Sequence, residues 1–249
     1  MIVYPNTKIN IGLNVLEKRV DGYHELSSVF YPVKDLCDIL EILPSTEFSF
    51  SSSGIEIPGE GNICIKAFEM LKQDFDIDNA KVHLHKQIPI GAGLGGGSAD
   101  GAFMLKAMNT LFNLKLSTAQ LEKYALQLGA DCPFFIENTT KYASGIGEKM
   151  IGIDLDLLNY EIRFIFPELH ISTAEAYCDI TPKTPAANLL NLINQPIEKW
   201  KGKVKNDFEV SVVVKYPALA KMKEKLYEDG AIYASMTGSG SVIYGVFEK

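Results

Sequence analysis

The residues predict an α+β protein of two domains, and three observations carry that prediction. The first segment alternates apolar and polar residues with period two. A glycine-rich run at residues 91–97 joins a strand directly to a helix. After Gly145-Ile146-Gly147 the pattern changes, and a second half opens at Tyr160. In the first segment Ile9, Ile11, Leu13 and Val15 share one face while Lys8, Asn10, Gly12 and Asn14 share the other, which predicts a strand with one buried face. Arg19-Val20-Asp21-Gly22 reads as a turn, with strands following over Leu26 to Phe30 and Cys37 to Leu43. The serine-rich stretch from Phe48 to Ile57 is expected to be an exposed hairpin. Asn62 to Phe75 has helical spacing, with Ile63, Ala67, Met70 and Leu71 on one face.

Lys81 to Ile88 is a further strand, and the helix after the glycine run is expected over Ser98 to Leu111. Another helix begins at Ser117, where Gln120 completes a capping box, and stops at Gly129. The domain boundary is placed at 154, giving a first domain of 1–154 and a second of 155–249. The second half is expected to contain a strand over Tyr160 to Phe166, a long polar loop, and helices near 187–200 and 217–229. A glycine loop at 238–240 and a last strand from Val242 to Phe247 complete it. The segment Val210-Ser211-Val212-Val213-Val214 has strand propensity, but Asn206 with Glu209 three residues later marks a helix start, and helix is preferred.

Composition narrows the function. Of 249 residues, 47% are apolar and 22% charged, the balance of an ordinary globular chain. A net charge of −7 repels a phosphate polymer unless a basic patch compensates, and the sequence shows none, so no nucleic-acid partner is expected. Cys37, Cys64, Cys132 and Cys178 lack metal-ligand spacing and read as thiols in a reducing compartment. The start, MIVYPNTKIN, has neither a basic nor an apolar leader region, and no apolar run reaches the ~20 residues that span a bilayer. A cytoplasmic location without a membrane partner is expected.

The strongest chemical signal is Pro89-Ile90-Gly91-Ala92-Gly93-Leu94-Gly95-Gly96-Gly97-Ser98-Ala99. Backbone free of Cβ atoms can turn its amides toward an anion, and the following helix adds unpaired N–H groups and a positive dipole end. Ser98 fits as helix N-cap and offers a hydroxyl to phosphate or metal. Gly91-x-Gly93-x-x-Gly96 matches the dinucleotide fingerprint formally, but a helix rather than a strand comes next. A Walker A loop needs lysine where Gly97 stands. Four weaker signals accompany it. Asp131 lies in the apolar stretch 129–135, where it serves either chemistry or a helix cap. Lys8 lies beside Asn10 on the polar face of the first strand. Asp21-Gly22-Tyr23-His24-Glu25 places an aromatic and a histidine at a turn, and Thr237-Gly238-Ser239-Gly240 forms a second loop able to approach a ligand.

Taken together, these motifs resemble the GHMP kinases. Pro5-Asn6-Thr7-Lys8-Ile9-Asn10, residues 89–99 and residues 237–240 match the family's lysine-bearing strand, phosphate loop and late glycine loop in order. The resemblance implies an ATP-dependent small-molecule kinase with Mg²⁺. Its first domain is expected to be like ribosomal protein S5 domain 2, and its second ferredoxin-like and shortened, since the chain ends soon after the last glycine loop. It further implies Asp131 as the base, with Lys8 beside it, and residues 89–99 around the triphosphate with Asn62 and Lys86 near the adenine. DGYHE and LGADCPFF match members acting on a cytidine diphosphate conjugate of methylerythritol. Asn10 and Thr173 would hold the methylerythritol part, Tyr23 and Tyr177 would sandwich the cytosine, and His24 would hydrogen-bond it. Ala99 stands where the family often has a second hydroxyl residue, leaving Ser98 alone. Rival readings are a kinase acting on homoserine, mevalonate or a sugar, and a non-catalytic nucleotide-binding module. Tyr23-His24 argues against the first, and Lys8 with Asp131 against the second.

Overall fold

A computed structural model describes residues 1–59 and 61–249. The chain forms two compact units that interleave along the sequence. The first comprises Met1–Lys8, Pro32–Ile90 and Gly95–Thr139; the second comprises Ile9–Tyr31, Gly91–Leu94 and Thr140–Lys249.

In the first unit, β1 (Ile2–Val3), β4 (Ile39–Ser45), β5 (Ser49–Gly54) and β6 (Asn79–Lys86) form a sheet in the order β1-β4-β6-β5. Here the expected hairpin over Phe48 to Ile57 is corrected. β5 is a single edge strand, parallel to β6. Its serines are used across the strand pair, where Ser51 and Ser53 hydrogen-bond His83 and Ser53 also bonds His85. Four helices accompany the sheet: α1 (Ile63–Asp74), α2 (Gly96–Leu111), α3 (Thr118–Leu128) and α4 (Phe134–Glu137). The Asn62 side chain caps α1 by accepting from the Cys64 N–H, and Ser117 with Gln120 forms the expected capping box on α3. Gly129 ends α3 in extended backbone.

α2 begins two residues earlier than expected. Gly95, in the left-handed region at φ 71°, is its N-cap, so Ser98 is the third helical residue and caps nothing. The helix is rich in small residues because its neighbours are close. A Cβ at Gly101 would lie 2.9 Å from the Ile63 side chain and 3.2 Å from that of Leu128. Packing, not helix propensity, selects those residues. Leu40, Ile42, Leu71, Leu84, Ile88, Leu105 and Met108 are buried in this unit, each such side chain stabilising by about 1.5–3 kcal/mol.

β2 (Asn6–Lys18) gives its first three residues to the first unit and the rest to the second. It heads a sheet of order β2-β3-β7-β8 with β3 (His24–Cys37), β7 (Lys141–Gly145) and β8 (Lys149–Gly152). Both faces of β2 are buried from Asn6 to Val15, which corrects the expectation of one. A second sheet, order β10-β11-β9, is antiparallel and built from β9 (Tyr160–Ile165), β10 (Tyr233–Met236) and β11 (Ile243–Glu248). Helices α5 (Thr173–Cys178), α6 (Leu189–Ile193), α7 (Phe208–Lys215) and α8 (Ala218–Glu228) complete the unit. The preference for helix at α7 holds. Its start is organised by Asn206, whose Oδ1 accepts from the Phe208 N–H. The expected helix over 187–200 is two pieces, α6 and a 3₁₀ turn at Ile197–Lys199, because Pro196 between them cannot continue the ladder. α5 lies inside the stretch read as a polar loop, and β10 went unread. Leu13, Val15, Phe208, Val212, Leu219, Leu226, Met236 and Ile243 belong to one core cluster of this unit.

Candidate active site

In the first unit the chemistry gathers where β2, α2 and α4 begin. Lys8 is 4% exposed, and its Nζ lies 3.6 Å from Asp131 Oδ2. The usual solvated lysine is thereby excluded. Burial pulls the ammonium below its ordinary value, and the Asp131 carboxylate opposes that pull. The Asp131 side chain keeps 35% of its exposure. It does not cap α4, whose N-cap is Pro133 with no side-chain bond. An open carboxylate held by a buried cation can accept a proton from an incoming group.

The glycine run divides by task. A Cβ at Gly95 would fall 3.1 Å from both Lys8 Cγ and Phe135 Cζ, so Gly95 lets the ion pair and the loop come together. Gly97 differs. It is exposed, its φ is ordinary, and a Cβ there would meet nothing within 4 Å. Nothing in the fold asks for glycine at the second residue of α2, where free N–H groups face outward.

Lys86 is buried in an ion-paired cluster. Its ammonium is 3% exposed and hydrogen-bonds Asp38 and, at 2.7 Å, Asp100. It supports the start of α2 from beneath, 3.1 Å from where a Cβ on Gly96 would stand. Asn62 is half-buried and spends its carbonyl on capping α1. Pro89 is half-buried and Ile90 exposed, while Ala92, Leu94 and Ala99 are buried and anchor the loop.

In the second unit three neighbours fix the position of Asn10. Its N–H donates to Thr237 Oγ1 at 3.1 Å, its Nδ2 to Ser28 Oγ at 2.8 Å, and its carbonyl accepts from the Tyr244 hydroxyl at 2.9 Å. Thr237 in turn donates to the Gly93 carbonyl at 3.0 Å. A Cβ on Gly93 would sit 2.1 Å from the Thr237 carbonyl oxygen, so the late glycine loop is packed on Gly93 and braces the phosphate loop. The imidazole of His170 lies against Gly91 in the same way, 2.6 Å from where a Cβ would stand.

His24 stacks on Tyr177 with ring centroids 4.7 Å apart and planes 21° apart, and Tyr177 meets Phe208 edge-on at 4.8 Å. His24 thus stands against one face of Tyr177. Tyr23 stands 60% exposed at the turn, where Asp21 accepts its N–H. Thr173 is exposed as the first residue of α5. Asp38, Asp100, Ser28 and the structural role of Thr237 escaped the sequence reading. Asp100 alone left a trace, as a charge among small helical residues four positions after Gly96 on the same face.

The family model for the GHMP kinases N-terminal domain matches residues 62–138, and that for the GHMP kinases C-terminal domain matches 187–249. A 4-diphosphocytidyl-2-C-methyl-D-erythritol kinase of Azobacteroides pseudotrichonymphae genomovar. CFP2 is 48% identical, covering 100% of this chain and 94% of that protein. One of the same name from Bacteroides thetaiotaomicron is 49% identical over 100% of this chain and 92% of its own. The crystal structure of a 4-(cytidine 5'-diphospho)-2C-methyl-D-erythritol kinase superposes with a TM-score of 0.85 at 29% identity, covering 99% and 90% of the two chains. A mevalonate kinase at 14% identity, with a TM-score of 0.72 over 100% and 91%, shares the fold.

Proposed function

Because the chain belongs to the GHMP kinases, we propose that it transfers the γ-phosphoryl group of ATP to the 2-hydroxyl of 4-diphosphocytidyl-2-C-methyl-D-erythritol. The observation that carries this reading is the buried Lys8 paired with a half-open Asp131 beside the amides that open α2. Asp131 accepts the proton of the substrate hydroxyl as its oxygen bonds to phosphorus and ADP leaves. Lys8 holds that carboxylate in place and neutralises charge on the moving group. Gly95 to Ser98 hold the phosphates through backbone N–H groups. Phosphoryl transfer asks chiefly for such positioning and neutralisation.

Mg²⁺ would be held mostly by nucleotide phosphates and water, as its octahedral preference favours. From this chain the Ser98 hydroxyl and the Asp131 carboxylate have the right donor chemistry, and the ion would supply neutralisation of phosphate charge. Asn10 and Thr173 hold the methylerythritol part, and Tyr23, His24 and Tyr177 hold the cytosine. Residues 1–154 serve the nucleotide and 155–249 complete the substrate half, a division supported by family matches on either side of 154. A cytoplasmic location agrees with the four free thiols of the described residues. Among those residues, no helix is long and apolar enough to cross a membrane.

Coupled ADP release across candidate alcohols tests the reading. The cytidyl substrate should be turned over, with homoserine, mevalonate and sugars left at background, and a preference for any of these overturns it. Gly97→Val tests the phosphate seat. Since a side chain there meets no neighbour, stability should change by less than about 1 kcal/mol. ATP affinity, measured by calorimetry, should fall at least ~10-fold, about 1.4 kcal/mol. Unchanged affinity would move the phosphates elsewhere. Gly95→Val should instead destabilise the fold, because its side chain collides with Lys8 and Phe135.

A further inference from the structure

The chain's net charge of −7 conceals a local excess of cations in the second unit. Lys199, Lys201, Lys203 and Lys205 alternate with Trp200, Gly202 and Val204. Trp200 and Val204 are buried, and Trp200 Nε1 donates to the Gln195 carbonyl at 3.0 Å. The Trp200 carbonyl accepts the N–H groups of Lys203 and Val204 at 2.9 Å. The turn is thus pinned by its apolar residues and leaves its lysines exposed. It borders a cleft of about 320 Å³ lined by Lys183, Lys203 and Lys205, with Pro185 and Leu192 as an apolar wall.

Two of these lysines are fixed at the backbone on β2. The Lys183 N–H donates to the Val15 carbonyl at 3.0 Å, and the Lys205 carbonyl accepts the Leu13 N–H at 2.9 Å. Asn14 stands between those two strand residues and also lines the cleft. It is only 9% exposed, and its side-chain amide has no hydrogen-bond partner among the described residues. Among those residues the three ammonium groups likewise form no ion pair. Asp207, also on the lining, turns its Oδ2 to the Val15 N–H at 2.9 Å. Three lysines against one aspartate leave the cleft two positive charges in excess. A buried amide is costly to leave unpaired, and cations gathered without a counter-charge repel one another, so both features call for an anion. We propose that this cleft binds a small phosphate monoester or diphosphate, held by Lys183, Lys203 and Lys205 with the Asn14 amide donating to it. The volume suits a small molecule, the charge a dianion and the apolar wall a short organic body. None of these residues belongs to the transfer chemistry, so the site stands independently of that reading.

Titrating isotope-labelled protein with inorganic pyrophosphate, followed residue by residue in NMR spectra, tests the site. The Asn14 side-chain amide and the backbone N–H signals of Lys183, Lys203 and Lys205 should shift together and saturate. Lys203→Gln combined with Lys205→Gln should need at least ~10-fold more pyrophosphate for half-saturation, because two charged contacts are lost. Both changes replace exposed side chains, so the melting temperature should hold. Asn14→Asp sets a like charge against the ligand and should abolish the shifts at the three lysines. Shifts at Gly95 to Ser98 alone would place the anion on α2 and overturn the proposal, as would a double variant that binds like the wild type. A wild type whose cleft signals never move overturns it without any variant. An oligonucleotide that moves the same signals at lower concentration than pyrophosphate would make the ligand a polymer and overturn it too.

Discussion

Asp131→Asn is expected to lower turnover by about 10²–10⁴-fold while ATP affinity stays within a few-fold of the wild type. The amide keeps the shape of the carboxylate but cannot take the hydroxyl proton. It sits in a turn with 35% of its side chain exposed, so the fold should survive the change. A second readout comes from Lys8. The carboxylate is what raises that buried ammonium against the pull of desolvation, so its loss should move the Lys8 titration further below the ordinary lysine value. A lysine lowered in the folded state makes folding less favourable while it is charged, and the protein regains that stability as pH rises through the Lys8 value toward the unfolded one. The variant should show this gain beginning at lower pH. Near-normal turnover of the purified variant would remove Asp131 from the role of base.

Free methylerythritol is expected to be a poorer substrate than its cytidyl conjugate by at least ~10² in kcat/KM. Stacking one base on an aromatic ring contributes about 1–3 kcal/mol, and leaving a recognising group unpaired costs a similar amount. The structure adds a sharper form of the test. Tyr23 is 60% exposed, so Tyr23→Ala should leave the melting temperature unchanged and raise KM for the cytidyl substrate. His24→Ala differs, since it uncovers the face of Tyr177 on which the imidazole stacks, and both selectivity and local packing should suffer. A Tyr23→Ala protein that melts early yet keeps the wild-type preference would make the turn structural and end its role in recognition.

Local patterns were enough wherever one physical rule dominated. The period-two alternation of Ile9 to Val15 made β2 legible, and Ser117 with Gln120 made the start of α3 legible to the residue. The glycine run made the junction of β6 and α2 legible, because few tasks need so many residues without side chains between a strand and a helix. Its neighbours gave weaker signs. A lysine on the polar face of a strand is normally wet, and the buried Lys8 is met by the Asp131 side chain, 123 positions further along the chain. Pro196 broke a helix that the surrounding spacing favoured, and β10 was too short for its alternation to stand out.

What the sequence determined by itself was the longer local elements, such as β2, α1 and α3, and the glycine run that joins β6 to α2, because each depends on neighbours within a turn or two of chain. Tertiary structure alone decided which polar groups are buried and with whom. Lys86 finds Asp38 at 48 positions' distance and Asp100 at 14, and Asn10 finds Thr237 at 227. Burial makes such pairings obligatory, since an ammonium or an amide removed from water must be compensated at once. Yet no local rule says which distant group will do it, and that choice is made only when the packed strands and helices bring the partners within hydrogen-bonding distance of one another.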